Sequence, residues 1–274
     1  ARRLLRRLRA DAVIGAGGYV SGPVAAAAST LRLPVFLLEA DSHMGVTNRM
    51  LAPLARRTFL AFPIEGRDND RYLVTGRPIP TDILAADRAV ARARFGLAGD
   101  QPCLLVFGGS LGARTINHAA IDAFGETAPC AVLHVSGERD HAEVAGRLEA
   151  LGSPSHYRLR AYVEPFADAL AAADLVVARA GGSVFELAAA GLPAILVPYP
   201  HATGDHQTLN ARWLTEGEAA VIIADGELDG PRLAREVGDL LSSPGRLRAM
   251  GDSALELARP DAAQQIAAEV LAAL

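Results

Sequence analysis

The sequence predicts an α/β protein of two domains, each built on a parallel sheet. Three observations carry that expectation. Short apolar runs alternate with helical patterns along the chain, the signature of successive βαβ units. The segment RPIP (77–80) holds two prolines that force extended backbone, and the charge changes sign just beyond it. The pattern then restarts at CLLVFGGS (103–110). With 274 residues, 50% of them hydrophobic, the chain is long enough for two ordinary α/β cores.

The elements follow in order. ARRLLRRLRA reads as the end of a helix. DAVIGAG is a strand running into a glycine turn, GPVAAAASTLR (22–32) a helix, and PVFLLEA a buried strand. SHMGVTNRMLAPLARR contains a helix, and TFLAFP and YLVTG are strands separated by the loop EGRDNDR. Beyond RPIP, ADRAVARARFGL is a helix. Strands are then expected at CLLVFGGS, CAVLHVSG, YRLRAYV, DLVVARA, AILVPYP and AAVIIAD. The tail from Gly230 is helical, broken at Pro244 and Pro260.

Charge is unevenly distributed. The net charge is −4, but residues 1–80 carry +6 and residues 81–274 carry −10, and every basic side chain besides histidine is an arginine. The basic part suits phosphate or anionic lipid, and the acidic part argues against a nucleic-acid-binding protein. Cys103 and Cys130 match no metal-ligand spacing and read as reduced thiols. The longest uncharged run, Ala12 to Leu31, is interrupted by four glycines before Pro23, so strand, loop and helix account for it better than a membrane span. No secretory signal is evident in the arginine-rich first ten residues.

Several segments have the makings of a ligand site. In CLLVFGGSLGAR a buried strand ends in Gly108-Gly109-Ser110 and a helix follows. Glycines there let backbone N–H groups approach a phosphate, and a tight structural turn would use the same residues. RAGGSVFELAAAG repeats the arrangement at Gly181-Gly182. Ser183 and Glu186 are spaced as a capping box, so Glu186 either bonds back to the helix start or holds a ribose diol at the carboxyl end of the sheet. In HATGDHQTLNA, Asp205 suits an N-cap, and His206 and Gln207 fall in the first helical turn. Gln207 suits sugar hydroxyls, while a lone histidine there is as readily structural. Asp68-Asn69-Asp70 fits a D-x-D metal pattern in what reads as a solvated turn. In EADSH (39–43), Asp41 either faces a ligand or caps the following helix.

Four blocks together, GGYVSGP, EADSHMGVTNR, GGSLGAR and RAGGSVFELAAAGLPAILVPYPHATGDHQTLNA, resemble the MurG family within glycosyltransferase family 28. The likeness runs from about Asp11 to Asp225. It implies a GT-B fold, two Rossmann-like domains facing a cleft. Residues 1–80 would be a partial N-terminal acceptor and membrane-side domain, and 81–274 a C-terminal donor domain with its terminal helices.

The activity implied is inverting transfer of N-acetylglucosamine from UDP-N-acetylglucosamine to lipid I, which gives lipid II in peptidoglycan synthesis. It would take place at the cytoplasmic face of the plasma membrane, with the enzyme bound peripherally to an anionic surface. Ser110 would contact the diphosphate and Val163 would meet uracil through its backbone. Gly182, Ser183, Val184 and Phe185 would form the diphosphate loop. Glu186 would hold the ribose, and His206 and Gln207 would reach the sugar. Asp41 is a possible sugar or acceptor contact. Helix N-termini at Ser110 and Gly182–Ser183 would stabilise the departing diphosphate, so neither a metal nor another cofactor is expected.

The sequence also departs from the family. The family's first strand carries a glycine-rich loop with a histidine, expected to line the acceptor side, and no such loop is present. At about 30 residues per βαβ unit, roughly 70 residues would precede Ala1. No residue of this chain is therefore assigned as the general base. Asp41 stands where the family commonly has Asn, and His206-Gln207 where glutamine pairs are common. Pro80 stands where a basic residue is frequent, while Arg77 lies just before the hinge proline Pro78. Two rival readings follow: another lipid-directed GT-B glycosyltransferase or epimerase, and a non-catalytic sugar-nucleotide-binding protein.

Overall fold

A computed structural model describes residues 1–97, 99–109 and 112–274. The chain divides into two compact units, one made of 1–79 with 259–274, the other of 80–258. The first division falls inside RPIP, between Ile79 and Pro80.

The first unit begins α1 (Arg2–Leu8), β1 (Val13–Gly15), α2 (Gly18–Thr30), β2 (Val35–Glu39), α3 (Val46–Leu51), β3 (Arg57–Leu60) and β4 (Tyr72–Val74). The four strands are parallel and lie in chain order. Helix α2 starts four residues before the expected Gly22 and holds Pro23 inside it. The proline removes the N–H that would bond the Tyr19 carbonyl, in a first helical turn whose Tyr19 is 97% exposed. One face of the sheet packs Val35, Leu37 and Leu60 against Leu5, Ala25, Ala28 and Leu51.

The second unit contains α4 (Asp82–Ala85), α5 (Arg88–Arg94), β5 (Cys103–Phe107), α6 (Arg114–Phe124), β6 (Ala131–Val135) and α7 (Glu138–Ala150). It continues with β7 (Tyr157–Arg160), α8 (Phe166–Ala172), β8 (Leu175–Ala178), α9 (Val184–Ala189), β9 (Ala194–Leu196), α10 (His206–Glu216) and β10 (Ala220–Ile222). Helices α11 (Gly230–Leu241) and α12 (Pro244–Leu257) complete it. All ten expected strands form. The six in this unit make one parallel sheet in the order β10-β9-β8-β5-β6-β7. Its strands are near-continuous apolar runs because helices cover both faces.

Cys103 and Cys130 are free and fully buried in this unit. Burial, helped by the charge of Asp174, pushes the Cys103 thiol up to about 12. Burial, opposed by a hydrogen bond with the Leu104 backbone and added to slightly by the charge of Asp174, raises Cys130 to about 11. Neither is a nucleophile at neutral pH.

The expectation that 81–274 form a single domain is corrected at the C-terminus. Helix α13 (Ala262–Leu271) belongs to the first unit. Its Ile266 and Val270 pack on Phe36 and Phe59, whose rings stack 6.1 Å apart on the sheet face opposite α2. Glu269 pairs with Arg57 at the start of β3. An apolar stripe on one helix and an uncovered sheet face solve each other's burial problem.

Candidate functional site

In the six-stranded sheet the strand order reverses beside β5. The chain moves from β5 outward to β6 and β7, then returns to add β8, β9 and β10 on the other side. Ligands of open α/β sheets bind at the carboxyl ends of the strands at such a point. The register brings Phe107 opposite Ala178, Ala178 opposite Leu196 and Leu196 opposite Ile222, so the turns after β5, β8, β9 and β10 leave from one edge.

The turn after β5 is shaped by two close approaches. A Cβ on Gly108 would lie 2.3 Å from the Ala113 nitrogen. One on Gly112, whose φ is +76°, would lie 2.3 Å from the Ser136 carbonyl oxygen. No other residue fits either position. The turn therefore delivers the chain tightly to the N-terminus of α6, eleven residues long. Ser110 lies outside the described residues.

The turn after β8 differs. Gly181 has no left-handed backbone, and a Cβ there would meet nothing within 4 Å. Neither backbone conformation nor packing calls for glycine, whereas a ligand lying close on the main chain would. The Ser183 half of the expected capping box does not form. Ser183 makes no cap hydrogen bond, and its hydroxyl instead donates to the Arg179 carbonyl at 3.5 Å. Val184 and Phe185 are buried, Phe185 against Trp213 with ring centroids 4.9 Å apart, so they can offer a ligand only backbone. Gly182, Ser183 and Glu186 are partly exposed.

Helix α10 is tied beside this loop through its second turn. Buried Asn210 donates from Nδ2 to the Ala180 carbonyl at 3.2 Å. One turn earlier stand His206 and Gln207. Gln207 accepts from the Tyr199 N–H at 2.9 Å, and His206 Nδ1 donates to the Thr203 carbonyl at 2.9 Å. Asp205 occupies the N-cap position, but its carboxylate accepts from the Thr208 hydroxyl at 2.6 Å rather than from backbone. Val163 is buried in the loop after β7. Phe166 draws that loop to the end of β5 by meeting Phe107 edge-on at 4.9 Å. Apart from Ser110, every donor-side residue named from the sequence thus lies around the edge of this one sheet.

Three supporting groups were not expected from the sequence. Arg179 donates to the carbonyls of Val197 and Pro198 at 3.1 and 3.2 Å, pairs with Asp225, and lies 5.5 Å from the centroid of the Tyr199 ring. Asp225 also accepts from the Thr115 hydroxyl in the first turn of α6, at 3.3 Å. Asp140, 2% exposed, accepts from Arg139, Arg114 and Asn117; the Arg139 hydrogen bond, ahead of Arg114, holds its carboxyl below the usual range. Asn117 and Asp140 continue to His134 and Tyr157 in a buried hydrogen-bonded chain.

In the first unit, the carboxyl end of β2 is organised by Glu39. Its buried carboxylate accepts from Asn48 Nδ2 at 2.9 Å, the Gly45 N–H at 2.8 Å and the Asp41 N–H at 3.3 Å. Asp41 is not a helix cap, since α3 begins after Gly45. Its side chain is partly exposed at the strand end. The D-x-D segment is an exposed turn in which Asn69 accepts from the Arg71 N–H at 3.1 Å. Among the described residues, no three potential metal ligands cluster.

Two parallel α/β units, one with paired glycine turns at a switch point, define a glycosyltransferase of the GT-B type. The glycosyltransferase family 28 N-terminal domain matches residues 1–60, and the family's C-terminal domain matches 103–266. The chain belongs to glycosyltransferase family 28.

It is 43% identical over 278 residues to the UDP-N-acetylglucosamine--N-acetylmuramyl-(pentapeptide) pyrophosphoryl-undecaprenol N-acetylglucosamine transferase of Moorella thermoacetica, covering 97% of this chain and 75% of that protein. The crystal structure of Acinetobacter baumannii MurG superposes with a TM-score of 0.75 at 31% identity, covering 97% of this chain and 74% of that one. A putative UDP-N-acetylglucosamine 2-epimerase from Listeria monocytogenes gives a TM-score of 0.73 at 17% identity over 98% of this chain and 76% of that one, a likeness of fold alone.

Proposed function

We propose that this protein transfers N-acetylglucosamine, with inversion, from UDP-N-acetylglucosamine to lipid I, giving lipid II. The observation that carries the donor half is Gly181, a glycine that nothing in the fold requires, standing in the turn beside the switch point. In this reading the backbone of the Gly182–Phe185 loop and the N-terminus of α6, with Ser110, receive the diphosphate. The charge gained by departing UDP is met there, without a metal. Glu186 accepts from the ribose hydroxyls, the Val163 backbone meets uracil, and His206 and Gln207 contact the sugar. Asp41 contacts the sugar or the acceptor.

The test is calorimetric titration with UDP-N-acetylglucosamine, alongside transfer to a soluble lipid I analogue in the presence of EDTA. Glu186→Ala is expected to weaken UDP binding by about 1.5–3 kcal/mol, as for loss of a hydrogen bond to a charged group. Unchanged UDP affinity with a lowered Tm would make Glu186 a purely structural residue. Binding without transfer would leave a sugar-nucleotide-binding protein, and EDTA-sensitive transfer would remove the metal-free reading.

The same reading has the protein bind peripherally to the cytoplasmic face of the plasma membrane. Among the described residues, no helix is long and apolar enough to cross a bilayer. The support is a short surface segment. Val46, Met50 and Leu54 are 64%, 72% and 54% exposed, interleaved with exposed Arg49 and followed by exposed Arg56, while Met44 and Leu51 are core. An apolar face with basic neighbours suits an anionic leaflet. Flotation with anionic vesicles checks it: Met50→Ser/Leu54→Ser reduces binding if this segment inserts and leaves it unchanged otherwise.

A further inference from the structure

We propose that the first unit holds a binding site for a phosphate-bearing anion, separate from the strand ends that carry Asp41. The site is a cavity of about 1060 Å³ at the starting edge of the sheet. Arg49, Arg56, Arg57, Arg67 and Arg71 line it, from α3, the approaches to β3 and β4, and the loop between those strands. Register fixes its position. Phe36, near the start of β2, lines the cavity and pairs with Arg57, the first residue of β3. Glu39, which organises the Asp41 loop, pairs with Leu60 at the other end. Three strand steps, about 10 Å, separate the two ends.

The charge balance calls for an anion. Of the two carboxylates in the lining, Glu269 is already paired with Arg57. Four guanidiniums then face Asp70 alone, and no ion pair among the described residues engages any of them. Like charges gathered over an apolar floor of Phe36, Pro53 and Ala273 repel one another until a counter-charge enters.

Two of the four are pre-positioned. Arg71 donates from Nη1 to the Ala52 carbonyl at 3.3 Å, and the Arg67 guanidinium lies 5.3 Å from the centroid of the Tyr72 ring. A guanidinium stacked on a ring keeps its in-plane N–H donors for a ligand. Planar forks converging from several sides match the oxygens of a phosphate that carries two or more charges. The source is either a free polyphosphate or a phospholipid headgroup reached from the neighbouring apolar segment. The inference does not rest on the donor-site reading.

The test uses the full chain with UDP at saturation, so that phosphate affinity of the nucleotide site is masked. Inorganic pyrophosphate is titrated into the wild type, Arg67→Gln and Arg56→Gln/Arg67→Gln. In parallel, flotation compares phosphatidylglycerol–phosphatidylcholine vesicles with vesicles of phosphatidylcholine alone. The site predicts pyrophosphate binding that falls about tenfold or more in the double variant and is only partly retained in Arg67→Lys, which keeps the charge without the fork, with UDP affinity unchanged. If the double variant fails to fold, Arg56→Gln, an exposed position, carries the comparison.

Binding to the anionic vesicles that pyrophosphate displaces and the variants lose assigns a lipid headgroup. Pyrophosphate binding without vesicle binding assigns a free phosphate. Pyrophosphate affinity equal in wild type and variants overturns the site, as does absence of pyrophosphate binding combined with vesicle binding that the variants leave intact, or with none.

Discussion

Arg179, just past the end of β8, and Asp225, just past β10, form an ion pair with side chains only 11% and 18% exposed. The pair closes a ring of contacts around the proposed donor site. Arg179 holds the end of β9 through the carbonyls of Val197 and Pro198, and Asp225 holds the first turn of α6 through Thr115. The turns that leave β8, β9 and β10 are thereby fixed to one another and to the start of α6. Asp225→Asn keeps the shape and the Thr115 contact but leaves a buried guanidinium without its counter-charge. Breaking a buried pair costs about 3–5 kcal/mol, and the two carbonyls that Arg179 retains put this case near the lower end. Chemical denaturation checks the loss. UDP affinity should fall with it, and the separate variant Arg179→Lys, which keeps the charge and Asp225 but loses the fork, should retain only part of the wild-type affinity. Wild-type affinity in Arg179→Lys would mean that charge alone, not the tie between the turns, matters.

The chain from Tyr157 to Asp140 has a fixed direction. Asn117 donates from Nδ2 to the Ser136 carbonyl and to Asp140, so its Oδ1 faces His134 Nε2, which must carry the proton. His134 Nδ1 then accepts from the Tyr157 hydroxyl at 2.8 Å. Burial, with a smaller contribution from the charge of His141, lowers His134 to about 3. In the unfolded chain an imidazole titrates near 6.5. Between those values the unfolded state takes up a proton that the folded state refuses. Stability therefore falls as pH drops from about 6.5 towards 3, by up to about 1.4 kcal/mol per pH unit from this group. Urea midpoints at pH 6.5 and pH 5 should separate less in His134→Gln than in the wild type. An identical separation would mean that His134 is protonated in the folded state.

Much of the fold was legible because a buried parallel strand announces itself as a short apolar run. CLLVF, AVLHV and LVVA are read that way without knowing their neighbours. The start of α2 was not, since Pro23 reads as a helix start when its local sequence is seen alone. The allegiance of α13 was not legible either. Ile266 and Val270 mark an apolar stripe, but no periodicity says that it covers Phe36 and Phe59, some 200 residues earlier in the chain.

At the site the glycine turns, Glu186, His206 and Gln207 stood out because their residue types were unusual for their surroundings. Arg179, Asp225, Asp140 and Glu39 did not. A lone charge in a sequence looks solvated, and its partner is set by register and crossover order. The Ser183 half of the capping box failed for the same reason in reverse: the S-x-x-E spacing was right, but the Ser183 hydroxyl turned to the Arg179 carbonyl.

Two glycines on the two turns make a matched pair of opposite predictions. At Gly112 a methyl group would collide with the Ser136 carbonyl at 2.3 Å, in a backbone conformation at φ +76° that disfavours any side chain. Gly112→Ala should therefore destabilise the protein by more than about 1 kcal/mol. Gly181 has neither constraint: the backbone is ordinary and the space beyond is open. Gly181→Ala should leave stability within about 0.5 kcal/mol of wild type. If that space is where a diphosphate lies against the main chain, the same methyl group should weaken UDP binding by about tenfold or more. Thermal denaturation and calorimetric titration of the two variants separate the roles. A Gly181→Ala protein that binds UDP like the wild type would show that the open space above this turn is not the diphosphate position, and would shift that role to the turn after β5 alone.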